Sequence, residues 1–228
     1  GVTTGDNNVA IGYQAGTSIT TGAQNTLIGG QAGQSLTTGE KNVAIGKAAL
    51  SSEDTGSRNI AIGSGALQTL NYDGTGYNVA VGYDAGVNLT TGRDNVLVGG
   101  QAGDSLTTGG WNIAIGRLAL AALTTGNENV AIGYEALTAE DTGGKNVAVG
   151  KETLRALDVG GDGYNVAVGF EAGHDMTTGV KNTIIGGEAG DALTTGNNNI
   201  AMGYGALGSE DTGSRNVAIG QDALNSLN

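Results

Sequence analysis

His174 is the only histidine of the chain, and there is no cysteine. Nucleophilic catalysis needs an activating base within reach of the nucleophile. His174 sits at a variable position of the kind expected to face solvent, and spacing assembles no Ser–His–Asp set around it. The absence of Cys excludes a thiolate metal site, a disulfide frame and a cysteine nucleophile. Carboxylates are many but scattered, without the facing pair that acid–base chemistry on a glycosidic bond requires. Two glycine-rich stretches, NYDGTGYN at 71–78 and DVGGDGYN at 158–165, place Asp73, Asp158 and Asp162 among loop carbonyls. Such oxygens are the donors a hard cation takes. The plainer reading is a two-residue bulge in a turn, so no metal and no cofactor is expected. No Gly-x-x-x-x-Gly-Lys phosphate loop occurs. The reading from these residues is not an enzyme.

Two further arrays could bind rather than react. Tyr13, Tyr83, Tyr134, Phe170 and Tyr204 recur at one place of a repeat. Aromatics there are candidate ligand contacts that would stack on sugar rings, or else pack on a neighbouring subunit or turn. A Thr-Thr-Gly triplet also recurs, and regular Thr arrays suit ice or mineral surfaces. Asp54, Asp141 and Asp211 break that array, so surface-binding of that kind is the alternative reading. The net charge is −12, which opposes binding to nucleic acid or an anionic membrane face and favours solubility. No apolar run is long enough to span a membrane.

What positions all of these residues is a repeat. An Asn opens each copy: Asn8, Asn25, Asn42, Asn59, Asn78, Asn95, Asn112, Asn129, Asn146, Asn165, Asn182, Asn199 and Asn216. The spacing is 17 residues, except for 19 after Asn59 and Asn146, where the glycine-rich stretches fall. Residues 1–228 therefore read as a single repeat array, and fixed periodicity decides the architecture before local propensity does. The chain opens at the tail of one repeat and closes inside another, as a fragment of a longer fibre would.

Counting the Asn as position 0, position 1 is Val, Ile or Thr, position 3 is aliphatic, and position 4 is always Gly. Position 7 is Ala except for Thr153, and position 11 is aliphatic except for Glu53, Glu140 and Glu210. With 44 Gly, no Pro, one Trp, seven Tyr and one Phe, small aliphatic residues must fill a narrow interior. Two short strands and two turns per repeat give an all-β fold, a parallel β-solenoid (β-roll) of thirteen coils of 17–19 residues. At about 4.8 Å per coil this makes a rod of roughly 60 Å. The stacked asparagines, among them Asn42, Asn59, Asn112 and Asn129, are expected to form a hydrogen-bonded structural ladder. Neighbour stacking, rather than any single coil, supplies the stability.

Alternation puts positions 1 and 3 on one face of the strand and position 2 on the other. With 1 and 3 taken as the core, position 2 faces outward, yet it is Ala or, at Leu27, Leu97 and Ile184, a large aliphatic. An apolar outer face needs a cover, and the simplest cover is another copy of the chain, with Leu27, Leu97 and Ile184 at the interface. The three Glu residues at position 11 are each followed five residues later by a base: Arg58, Lys145 and Arg215. Each Glu is expected to swing to the corner and pair with its base, since an unpaired buried carboxylate is costly.

Units such as NVAIG, and longer ones such as TTGEKNVAIGKAAL at 37–50, resemble the head repeats of trimeric autotransporter adhesins and repeats of phage tail-fibre proteins. The likeness runs through all thirteen coils, although adhesin heads commonly use shorter ones. It implies a left-handed winding, a homotrimer, and a structural and adhesive rod at a cell surface or virion. The partners so implied are the chain itself and a cell-surface glycan or matrix protein.

Overall fold

The computed structural model describes residues 5–209 and 211–225. The protein is all-β, a parallel β-solenoid, and no helix occurs among the described residues. It divides into two compact units, Gly1–Asn112 and Ile113–Asn228. The first holds β1 (Val9–Ile11), β2 (Thr26–Ile28), β3 (Val43–Ile45), β4 (Ile60–Ile62), β5 (Val79–Val81) and β6 (Val96–Val98). The second holds β7 (Ile113–Ile115), β8 (Val130–Ile132), β9 (Val147–Val149), β10 (Val166–Val168), β11 (Thr183–Ile185), β12 (Ile200–Met202) and β13 (Val217–Ile219). Within each unit the strands pair in chain order, all parallel. The register is position for position, as in Ala44↔Ala61 and Ala167↔Ile184.

Each coil contains one strand, not the two expected. After the strand the invariant glycine turns the chain at a positive φ, +137° at Gly46. Positions 6 and 8 then adopt the left-handed conformation, as Ala48 (φ 57°) and Leu50 (φ 53°) do. That conformation costs a residue with a β-carbon about 1–2 kcal/mol. In exchange, Ala49 and Leu50, which an extended chain would point to opposite sides, are both fully buried. The inter-coil ladder also continues through the turns: Leu50 N–H donates to Ala66 O at 3.0 Å, and Ala48 N–H donates to Gly30 O at 2.8 Å.

The two faces of the strand are reversed from the expectation. Position 2 points into the coil: Leu27, Leu97 and Ile184 are fully buried inside their own chain, as are Ala44, Ala61 and Ala148. Positions 1 and 3 point out. The interior is lined by positions 2, 7, 8 and 11, and it is too narrow for the two β-branched columns. The three large residues at position 2 therefore sit in the core and not at an interface. The signal for this lies at position 8, which is Leu in most coils but Gly in those beside Leu27, Leu97 and Ile184. A column that changes size to accommodate position 2 must share an interior with it.

Candidate functional site: an outward apolar sheet face

Within each unit, positions 1 and 3 of the strands form two columns of Val and Ile, varied only by Thr26, Thr183 and Met202. They are partly exposed in most strands and more so towards the ends. Val168 is 37% exposed, Met202 38% and Ile219 67%. In the second unit alone, seven strands at about 4.8 Å spacing carry this stripe over roughly 30 Å. Single exposed aliphatics are ordinary, whereas a continuous apolar stripe marks an interaction surface. It is set by the ladder beneath it, because identical register keeps every outward side chain in line.

Aromatic residues flank the stripe along the chain on both sides. At position 5, Tyr13, Tyr83, Tyr134, Phe170 and Tyr204 are all exposed, as the sequence reading placed them. Just before the Asn, Tyr77, Trp111 and Tyr164 are exposed as well, and these three were missed. Their recurrence directly ahead of the motif was the available signal. Several rings carry a cation: Arg93 lies 4.9 Å from the Trp111 ring centre, Lys151 5.1 Å from Phe170 and Arg58 5.6 Å from Tyr77. Beside Tyr204, whose hydroxyl donates to Glu188 Oε2 at 2.7 Å, lies a cavity of about 210 Å³ that Asp191 and Asp222 also line.

The asparagines of the column from Asn25 to Asn199 are buried. Asn95 donates from Nδ2 to Gly109 O at 3.0 Å, which closes its own coil. Its Oδ1 accepts the backbone N–H of Asn112 at 3.0 Å and the Asn112 side-chain amide at 3.2 Å. The same pattern holds Asn42, whose Nδ2 reaches Gly56 O at 2.8 Å and whose Oδ1 takes the N–H of Asn59 at 2.9 Å. Asn129 likewise holds Gly143 O at 2.9 Å and accepts from Asn146 N–H at 3.0 Å. Each of these three side chains ties the coil's own ends and the next coil, whereas Asn59 and Asn146, which open the long coils, donate from Nδ2 to Ser57 O at 3.4 Å and Gly144 O at 3.1 Å.

Glu53 and Glu140 point inward rather than swinging to the corner. Glu53 Oε1 accepts the N–H of Gly56 at 2.7 Å, and Oε2 that of Tyr72 at 3.2 Å. Glu140 does the same with Gly143 at 2.7 Å and Val159 at 3.3 Å. Tyr72 and Val159 belong to the glycine-rich insertions of the following long coils. The carboxylate is thus the anchor of the insertion, and two backbone donors satisfy it where a base was expected. Burial pushes both carboxyls above their ordinary range, against the lowering effect of those donors. The bases go elsewhere. Lys145 Nζ pairs with Asp162 Oδ2 at 2.7 Å, and Arg58 donates to Thr75 Oγ1 at 3.2 Å. Glu210, the third of the set, lies outside the described residues.

The candidate cation donors Asp73, Asp158 and Asp162 each have separate partners. Asp162 is taken by Lys145, and Asp73 Oδ1 accepts from Thr55 Oγ1 at 2.8 Å in the other insertion. Asp158 meets Glu140 and Asp141 instead, with one carboxylate oxygen of each within 4.8 Å of the others. Desolvation first, and then the Asp141 charge, raises the Asp158 carboxyl. His174 Nδ1 lies 2.7 Å from Asp175 Oδ1, and its Nε2 lies 3.6 Å from Glu152 Oε2. No hydroxyl nucleophile is hydrogen-bonded to it among the contacts of the described residues. In the Thr array the first hydroxyl of the triplet bonds along the stack: Thr37 Oγ1 donates to Asp54 O at 2.9 Å and Thr194 Oγ1 to Asp211 O at 2.7 Å. Among the described residues no helix is long and apolar enough to cross a membrane.

Comparison with protein-family models, with curated proteins and with solved structures finds no match in any of the three.

Proposed function

We propose that this chain is a segment of a structural and adhesive shaft, of the kind that trimeric surface adhesins and phage-type tail fibres build, lying outside the cell or on a virion. The observation that carries the reading is the Val/Ile stripe at positions 1 and 3. It is an apolar sheet face with no covering segment among the described residues, repeated in step with the coils. Burying such side chains is favourable by about 25 cal/mol per Å² of apolar surface. A second and third copy of the same chain supply a cover of the same length and spacing. The shaft holds flanking parts away from a surface, and its recurring aromatics offer repeated weak contacts that gain strength by multivalency. Cell-surface glycans, which stack on aromatic rings, are the ligand class these residues suit. The ice-binding alternative is disfavoured because the first Thr hydroxyls of the array are engaged along the stack.

The chain has no cysteine, so single-cysteine variants test this reading cleanly. Val98→Cys, on the outward face, is expected to cross-link between copies with a short tris-maleimide, giving dimer and trimer bands on a denaturing gel. Leu97→Cys, one residue away but buried, is expected to give none. Equal monomer bands for both variants would remove the stripe as an assembly face. Beads coated with the assembled protein, and with a variant lacking the position-5 rings, then test glycan contact.

A further inference from the structure

Inside the coils, the large residues at position 2 and the glycines at position 8 occur as fixed sets. Leu27 sits between Gly16 and Gly33, Leu97 between Gly86 and Gly103, and Ile184 between Gly173 and Gly190. In each set one glycine is in the same coil and the other in the coil before. A β-carbon on Gly86 would come within 2.6 Å of Leu97 Cδ1, and one on Gly103 within 3.0 Å of Leu97 Cδ2. For Leu27 both distances are 2.7 Å, and for Ile184 they are 3.1 and 3.3 Å. The backbone does not require these glycines. Gly86 has φ +59°, and Leu67 and Leu50 occupy the same position at 49° and 53°. The requirement is steric, and it reaches across the boundary between two coils.

We propose that these three sets are register keys, which dictate which coil can stack on which. The remaining coils carry Ala at position 2 and Leu at position 8, so packing at these two positions does not distinguish one such neighbour from another. A repetitive chain of that kind can loop out one coil and close the stack over the gap. Skipping the coil below a key sets a large residue against a Leu instead of a Gly, in an interior packed without spare room. Skipping an ordinary coil meets no such obstacle. The keys thus protect the spacing of the outward columns, because every coil lost or misplaced shifts all later side chains along the face.

Deleting one coil makes the test. Removing residues 78–94 seats the Leu97 coil directly on the coil of Leu67, which is buried in the interior and whose Cδ2 lies 3.1 Å from a β-carbon built on Gly86. This deletion is expected to lower Tm sharply or to prevent folding. Adding Leu67→Gly restores the missing half of the key and is expected to recover folding or raise Tm. In the full-length chain the same Leu67→Gly opens a cavity and is expected to lower Tm. The substitution therefore changes sign between the two backgrounds, which a general packing defect cannot produce. Leu67→Gly lowering Tm in both backgrounds, or failing to rescue an unfolded deletion, would overturn the proposal, as would a deletion that melts with the full-length chain.

Discussion

Asn129 and Glu140 hold the same glycine from two sides. Asn129 Nδ2 donates to Gly143 O at 2.9 Å, while Glu140 Oε1 accepts the Gly143 N–H at 2.7 Å. The second oxygen of Glu140 reaches the insertion of the next coil at Val159. At Glu53 and Glu140 a core position that is Leu in most coils becomes Glu where the following coil is two residues longer, and the carboxylate accepts an extra part-buried N–H that the longer coil presents.

This anchor makes a pH prediction. Burial raises the Glu140 carboxyl above its ordinary value of 4.5. The folded state therefore binds that proton more tightly than the unfolded state does. The resulting contribution is fully present below pH 4.5 and is lost as pH rises through the folded value. Glu140→Gln carries no such proton. The stability of the natural chain minus that of Glu140→Gln is expected to fall as pH rises above 4.5 in denaturant titrations. A flat difference, or one that rises with pH, would mean that the two backbone donors, and not burial, govern this carboxyl.

The same geometry governs the bases. Lys145 is bound to Asp162 and Arg58 to Thr75, so neither serves the Glu of its own coil. In a double-mutant cycle, Glu140→Ala and Lys145→Ala are expected to act additively. A coupling of the size that contacting charges show would restore the ion pair that the sequence suggested.

Asn95 tests the ladder. Its side chain is buried and carries bonds to Gly109 and Asn112. Asn95→Ala leaves the Asn112 N–H and the Gly109 carbonyl without those partners, at a cost of about 1–3 kcal/mol each at most where water cannot reach them. Chemical denaturation is expected to show a loss in that range, with surface attachment unchanged in the folded variant. Unaltered stability together with lost attachment would make the Asn column a ligand site.

The period, the parallel stacking and the Asn column were all legible from the sequence, because each rests on a fixed spacing that thirteen copies repeat. The inside and outside of the strand were not. Alternation correctly separates Val96 and Val98 from Leu97, but it does not say which set faces the core when both are apolar. Size misled, since β-branched residues pass for core and Ala for surface. The correlation between position 2 and position 8 would have decided it. The expected ion pairs failed for a related reason. A base five residues from Glu140 is close in sequence, but the left-handed turn at Lys145 (φ 60°) carries it outward, while the glutamate stays in. The exposed rings at Tyr77, Trp111 and Tyr164 were hidden by the motif boundary itself, which drew attention to the residue after them.

Neighbouring residues on opposite faces now have opposite expected phenotypes. Leu97→Asp buries an uncompensated charge in the coil and is expected to abolish cooperative unfolding altogether. Val98→Asp leaves the coil interior intact and is expected to yield a folded, circular-dichroism-competent chain that no longer associates. If both variants dissociate without unfolding, the assignment of faces is wrong.

Light scattering coupled to size exclusion, at micromolar concentration, addresses the central claim that the Val/Ile stripe is a self-assembly face. The account predicts a species of three times the 22.4 kDa chain mass for the natural sequence, and of one chain mass for Val98→Asp. A natural chain that stays folded and elutes at 22.4 kDa would contradict it.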